Sequence, residues 1–436
     1  MEHVVTFSGK AEPSDKMNTD QDAHYSHSLS FYAWQRLKKN KLALFGLFLI
    51  CLFIVIALLG YSITADSTPD ANDQKLELAI KPPGFRAKEL RIRKNEPTHK
   101  RNFFSKMIFG EENDYKEAPF YGIELERNDI IYEEYTGNEE NNGAKIKYNM
   151  ADVIYAIDFN KPFVDYVDPE NANNGYVEFY DMDSQKQLRK KTSELKEEII
   201  SKHINSDHKF LLGTDRAGRD MLSRLIIGTR VSLAVGIIAV ILSIFIGTLL
   251  GSISGYFRGW VDDVIMWIIN VVWSIPTLLL AIAITLALGK GFWQVFIAVG
   301  LTMWVGVARL VRGQVMSLRE KEFVEAGRAL GFSSFRIITR HVLPNIVGQL
   351  IVLSAENFSN AILIEAGLSF LGIGAQPPTA SWGAMISAHR GYIIADAAYL
   401  AFLPGFAIMV MVLAFVLLTN GLRDAFDAKT IEEVSV

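Results

Sequence analysis

Five stretches of this chain run for 18 to 26 residues without a charged side chain: 42–65, 231–255, 264–288, 291–308 and 397–422. A sixth, 346–364, is interrupted only by Glu356. Crossing the hydrocarbon core of a bilayer takes about 20 apolar residues. In lipid, a single segment satisfies its own backbone polar groups only as a helix. The pattern therefore predicts an all-α polytopic membrane protein with six transmembrane helices. The first block is no cleavable signal peptide: it begins some 40 residues in, is too long, and lacks a small-residue cleavage site.

A net charge of −4 over 436 residues gives no ground for a nucleic-acid partner. Cys51 is the only cysteine, which rules out an intrachain disulfide and a thiolate metal cluster.

Residues 1–41 read as a polar N-terminal tail ending in Arg36, Lys38, Lys39 and Lys41. Positive flanks stay on the cytoplasmic side. Counting spans from there puts 309–345 inside as well. That segment holds seven basic residues (Arg309, Arg312, Arg319, Lys321, Arg328, Arg336, Arg340) against Glu320, Glu322 and Glu325. Both termini, including a tail over 423–436, are expected inside. Arg216, Arg219, Arg224 and Arg230 fall outside, but they follow a long loop, and long translocated segments largely escape the rule.

That loop, 66–208, is 143 residues long, enough for a small domain. "KLELAIK" and "ELRIRK" alternate like edge strands. "AKIKYNMADVIYAIDF" and "YVEFYDM" are rich in aromatic and β-branched residues, "TSELKEEIISKHI" has helical spacing, and "GEEND" and "GNEENNG" read as acidic turns. An inserted extracytoplasmic α+β domain between helices 1 and 2 is expected, serving either as a spacer or as a docking surface. His203 and His208 near Asp207 have no metal-specific spacing.

Within the spans, Gly247, Gly251 and Gly255 share a helix face and predict close helix packing. Pro276 should loosen or kink the third span.

The segment between spans four and five is the informative one. Residues 321–330 favour a helix with Phe323, Ala326, Ala329 and Leu330 near one face. Gly331 breaks it, Ser333 or Ser334 can open a second short helix, and Pro344 suits the start of the fifth span. This helix–turn–helix is too polar to cross the membrane. Glu325 beside Ala326 and Gly327 offers an acid and a close backbone approach to another protein. The competing reading is a helix lying on anionic lipid.

"EAGRALG", followed nine residues later by "HVLP", resembles the EAA loop of ABC-importer permeases. The match runs through Glu325, Ala326, Gly331, Leu343 and Pro344. Gly327 stands where that pattern has alanine and His341 where it has isoleucine, the latter as in the oligopeptide/dipeptide branch. "LLGTDRAGRDMLSRLIIGTRVSL", "EAGLSFLGIGAQPPTASWG" and "NGLRDAFD" resemble the same branch. The resemblance spans about 30–65 and 209–428 and omits the long loop. It implies a permease core over 209–422 and a cytoplasmic coupling helix within 309–345, seated on an ATPase through Glu325, Ala326, Gly327, Gly331, His341, Leu343 and Pro344. It also implies a multi-pass bacterial inner-membrane protein partnered by ATP-binding-cassette ATPases, a second homologous permease, an external binding protein and membrane lipid. ATP and magnesium would be held by the ATPases, because no G-x-x-x-x-G-K-[ST] loop occurs here and "LGKGF" lacks the spacing. The expected activity is peptide transport without an ATPase site of its own. A same-branch permease for a nickel chelate or a modified sugar–peptide, and a membrane receptor with an external sensor, are the alternatives.

For the translocation path the candidates are Glu356, Asn357 and Asn360. Glu356 lies 12 residues past Pro344, about 18 Å along a helix and so near mid-membrane. A carboxylate at that depth normally faces a bundle interior or a wet path. It would either meet a peptide's amino end or be held as a structural glutamate by Asn357 and Asn360.

Overall fold

The computed structural model describes residues 29–98, 101–137, 140–168, 174–289, 291–394 and 396–427. Residues 1–28 of the N-terminal tail, 428–436 of the C-terminal tail, and the centre of "GNEENNG" lie outside them.

A short helix α1 (Leu29–Leu37) leads into α2 (Lys41–Ile63), the first span. Asn40 caps α2 by accepting from the Ala43 N–H at 3.1 Å. The insert follows: β1 (Phe85–Arg93), α3 (Phe103–Phe109), β2 (Tyr115–Glu126), β3 (Asp129–Glu134), β4 (Lys145–Asn149), α4 (Met150–Ile154), β5 (Val164–Tyr166), β6 (Tyr176–Asp181), β7 (Lys186–Lys191), α5 (Thr192–Glu198) and β8 (Ile204–Phe210). One antiparallel sheet runs β4-β3-β2-β1-β8 and a second runs β5-β6-β7. Leu90, Ile130, Met150, Val177, Phe179 and Leu195 meet in a core of their own. The α+β expectation holds for the described residues.

Two strand expectations do not. Residues 76–78 of "KLELAIK" form a 3-10 turn, and "ELRIRK" lies in β1, an interior strand rather than an edge. The alternation in β1 looked solvated because one face is charged. That face is covered: Glu89 and Arg93 are buried, with Lys75 Nζ 2.7 Å from Glu89 and Arg93 NH2 2.9 Å from Asp183.

The membrane core is built from α6 (Met221–Phe257), α7 (Gly259–Trp273), α8 (Thr277–Leu288), α9 (Phe292–Leu318), α12 (Leu343–Phe370) and α14 (Tyr399–Phe426), with α13 (Trp382–His389) between the last two. Two shorter helices, α10 (Glu322–Ala329) and α11 (Ser334–Ile337), precede α12. Among the described residues five helices are long and apolar enough to span; the block at 264–288 is two helices bent by 94°. Pro276 explains the break. It carries no N–H and disfavours helix in the residue before it, so α7 ends at Trp273 and α8 restarts at Thr277. Six spans result only when the bent pair counts as one.

Both α6 and α9 outrun their apolar blocks, starting at 221 and ending at 318. The glycine stripe joins them. A Cβ on Gly247, Gly251 or Gly255 would lie 2.7, 2.5 or 2.7 Å from the carbonyl oxygens of Trp304, Ala308 and Arg312. The backbones touch because no side chain intervenes. Elsewhere Trp382 lies against Gly228 of α6 and donates its Nε1–H to the Leu225 carbonyl at 2.9 Å, and Phe358 stacks on Phe415 with ring centroids 4.0 Å apart.

Candidate functional site

Helix α10 ends in a tight glycine turn. Gly331 adopts φ +76°, its N–H bonds the Arg328 carbonyl at 2.9 Å, and the Phe332 N–H bonds the Gly327 carbonyl at 3.0 Å. This is the Schellman arrangement, in which a left-handed residue closes the helix C-terminus. Ser333 then caps α11, its Oγ accepting from the Arg336 N–H at 3.4 Å. From Ser334 the chain stays helical through Phe370, widening into a π-helical turn over Ile338–Val342 just before Pro344. A separate second helix was expected from the sequence; the structure fuses it to the fifth span. A widened turn beside Pro344 suits a residue that cannot donate a backbone hydrogen bond.

Val324 and Ile337 are the inward anchors. Both are buried in one cluster with Tyr256 at the end of α6, Val311 and Val315 of α9, and Val342 and Ile346. Arg319 and Arg328 lie over the Tyr256 ring, 5.7 and 5.3 Å from its centroid. The base is braced further. Arg312 of α9 grips Asp262 of α7 with two bonds of 2.6 Å, Ser254 of α6 donates to the same carboxylate, and Arg309 bonds Asn270 at 2.8 Å. Helix α10 is thus tied to the ends of α6 and α9, and through Asp262 to α7.

The opposite face is bare. Glu325, Ala326 and Ala329 are exposed, and Phe323, Leu330 and Phe335 expose 43%, 72% and 77% of their surface. Gly327 is on the inner side, where a Cβ would meet Phe332 at an ordinary 3.5 Å. His341 is half-buried and stacks on Phe332; Leu343 is half-buried and Pro344 exposed in the first turn of α12. The sequence reading missed Val324, Ile337, Tyr256 and Phe335. The signal available was the three-residue spacing of Val324 and Gly327, which marks an inner face opposite Glu325.

The path candidates divide. Glu356 and Asn360, one turn apart, share an exposed face of α12, whereas Asn357 is buried and donates to Ser243 of α6 at 3.5 Å. The expected Glu356–asparagine pairing is not what the structure shows. Arg423 NH2 lies 3.4 Å from Glu356 Oε2. Arg423 belongs to the last turn of α14, so the pair ties the middle of α12 to that helix end. The pair lines a cavity of about 350 Å³ with Gln349, Leu353 and Phe426. Glu365 is buried and accepts from Ser369 at 2.7 Å and Ser381 at 2.8 Å, tying α12 to the start of α13.

In the insert, His203, Asp207 and His208 each have separate partners. Asp207 pairs with Arg86 at 2.6 Å, and His203 bonds the Arg91 carbonyl at 2.9 Å. His208 instead bonds Glu89, beside Lys75 and Glu117. Glu89, Glu117 and His208 have ligand atoms close enough for a cation, but the Lys75 ammonium already fills that role at 2.7 and 2.6 Å from the two carboxylates.

Residues 247–432 match the family described as binding-protein-dependent transport system inner membrane component, and 28–83 match the N-terminal TM domain of oligopeptide transport permease C. The glutathione transport system permease protein GsiD of Pectobacterium atrosepticum is 43% identical over 218 residues, covering 50% of this chain and 72% of that one. The dipeptide transport system permease protein DppC of Alkalihalophilus pseudofirmus is 43% identical over 225 residues, covering 52% of this chain and 73% of the other. The chain belongs to this family of ABC-importer permeases. Among solved structures, the inward-facing MetNI methionine ABC transporter aligns with 46% of this permease and 97% of its own chain, at 19% identity and TM-score 0.37. The permease is a multi-pass inner-membrane transport subunit. The two family profiles leave 84–246, which contains most of the insert, unmatched.

Proposed function

We propose that the permease carries short peptides of di- to tripeptide size inward across the cytoplasmic membrane, driven by ATPase subunits seated on α10 and α11. The observation that carries this is the two-sided build of α10, with Val324 locked into the helix bundle while Glu325, Phe323, Leu330 and Phe335 face away from it. Exposed Lys321, Arg328, Arg336 and Arg340 would also suit a lipid surface; the exposed Glu325 beside Ala326 favours a protein partner. The names of the similar permeases, for glutathione and dipeptides, supply the cargo class.

In this reading ATP and magnesium are bound by the ATPases. Their closure pushes α10, and the bracing through Tyr256 and the Asp262–Arg312 pair passes the push to α6, α7 and α9. The spans then rock between inward- and outward-facing states, a rigid-body two-state change. A second homologous permease completes the pore and an external binding protein delivers cargo. Glu356 and Asn360 line the inner end of the path, where Glu356 exchanges Arg423 for a peptide's amino group. Asn357 supports them from the α6 side. Both termini and 309–345 face the cytoplasm.

Two measurements test this. In a Cys51→Ser background, a membrane-impermeant thiol reagent should label Asn141→Cys on intact cells and Ser333→Cys only after permeabilisation. In proteoliposomes holding the whole importer, labelled dipeptide or glutathione should accumulate only with ATP and binding protein. The reverse labelling pattern, or accumulation without ATP, overturns the proposal.

A further inference from the structure

The inserted domain carries one apolar element that its own core does not use. Helix α3 reads FFSKMIF, and none of its residues is buried. Phe103, Phe104, Ile108 and Phe109 are exposed by 64%, 72%, 51% and 61%. Burying such groups is strongly favourable, and four together in seven residues form a patch rather than scattered surface hydrophobics.

The position of α3 is fixed from behind. Its Met107 carbonyl accepts from Arg230 NH1 at 3.1 Å, and its C-terminus is capped by Arg101, whose NH1 lies 3.1 Å from the Gly110 carbonyl. The Glu111 N–H bonds the Ser67 carbonyl at 2.9 Å, and a Cβ on Gly110 would lie 3.1 Å from the Tyr61 ring. Tyr61 is two residues from the end of span α2, and Arg230 immediately precedes the apolar block that begins at Val231. Tyrosine and arginine at span ends mark the bilayer boundary. Ile108 and Phe109 share a cleft with Val231, Ala234 and Phe292, which belong to spans. The patch thus adjoins α6 and α9, and its helix packs beside α2, where Leu58, Leu59 and Ile63 are exposed.

We infer that α3 is an interfacial anchor, its phenylalanines seated in the lipid leaflet on the insert's side of the membrane. Arg101 on the same segment sits at headgroup level, with Lys106 beside it paired to Glu111 and aromatic rings below; a basic flank over an aromatic face suits a membrane-surface helix. The anchor holds the sheet of the insert at a set height above the mouth of the bundle, through β1 before it and β2 after it.

The test uses the full chain with Cys51→Ser in nanodiscs of phosphatidylethanolamine and phosphatidylglycerol. A nitroxide placed at Phe104→Cys or Ile108→Cys should collide with oxygen in preference to an aqueous nickel chelate, at a ratio several-fold above that of a label at Asn141→Cys. A ratio equal to that at Asn141 places the helix in water and overturns the inference. Low collision with both reagents means that protein covers the patch and overturns it equally. As a variant without label, Phe103→Ser/Phe104→Ser/Ile108→Ser/Phe109→Ser should leave the spans intact and make tryptic cleavage at Arg101 and Lys106 several-fold faster. An unchanged cleavage rate counts against an anchor.

Discussion

The imidazole of His341 stacks on the Phe332 ring, with centroids 5.7 Å apart and planes within 18°. Arg336 covers the same ring at 4.2 Å. Phe332 is the residue whose N–H closes the turn after α10. The histidine standing in place of the family's isoleucine is therefore a flat packing partner for that turn. An aromatic pair is worth about 0.5–1.5 kcal/mol beyond its area. His341→Ala should loosen α10 against α11 by about that amount and lower ATPase co-purification several-fold. His341→Ile, which restores bulk without charge, should keep transport near wild type. Equal loss in both variants would show that the aromatic ring itself is required rather than bulk at that position.

Gly251 tests whether α6 and α9 need backbone contact. A Cβ there would lie 2.5 Å from the Ala308 carbonyl oxygen and 2.9 Å from Val311 Cβ. A carbonyl inside a helix cannot turn aside as a side chain can. Overpacking of this kind costs about 1–3 kcal/mol, and leucine adds further bulk at the same place. Gly251→Leu should lower the detergent-solubilised melting temperature by several degrees or abolish membrane accumulation. Gly306→Ala, where nothing lies within 4 Å of the added carbon, is the matched control and should be silent.

The insert carries its own pH dependence. A hydrogen bond to Glu89 raises the His208 pKa above its usual 6.5, outweighing burial. A raised histidine adds stability that is complete below pH 6.5 and is lost as pH climbs through the folded-state value. Burial would push Glu89 up, but His208 and Lys75 pull it below 4.5, so its contribution is lost only in acid. Asp73, held by burial at about 6, acts mainly below the His208 window. As pH rises above 6.5 the insert should therefore become easier to cleave with protease. His208→Gln should flatten that trend and match alkaline wild type. A variant that keeps the full slope would place the titration elsewhere.

Sequence reading reached the spans because charge exclusion over about 20 residues is hard to mimic. It reached the turn at Gly331 because glycine beside a serine cap has few other uses there. It failed where tertiary partners decide. The charged face of β1 is buried by Lys75 and Asp183, which are remote in sequence, and Glu356 is drawn to Arg423, 67 residues away. Local pattern along one helix could not reveal that. The ion pair gives its own expectation. Because the pair is 3.4 Å apart and both side chains are about half exposed, breaking it should cost at most about 1 kcal/mol of stability. Glu356→Gln should assemble normally and weaken uptake of peptides with a free amino terminus more than that of N-acetylated ones. Loss of assembly together with transport would make the glutamate structural.

Helix α10 and its turn give the sharpest contrast, because of three neighbouring positions two should lose transport and one should not. At Gly327 an added methyl meets Phe332 and Ile337 at 3.5–4.0 Å, ordinary contact distances, so Gly327→Ala should transport at wild-type rates. At Gly331 space is open but φ is +76°, and a β-branched residue resists the left-handed region. Gly331→Val should reopen the turn and tilt α10 away from Tyr256. Glu325 is exposed and makes no packing contact that the bundle needs, so Glu325→Lys should leave the chain folded and at normal levels in the membrane. If that carboxylate pairs with a basic or amide group in a partly dry ATPase cleft, reversing its charge removes about 2–5 kcal/mol, enough to release the ATPase or uncouple it. Transport should then fall in Glu325→Lys and Gly331→Val alike, with ATP hydrolysis no longer responding to loaded binding protein. Normal transport by both would mean that α10 only rests on lipid, since such a helix tolerates either change and a force-bearing contact does not.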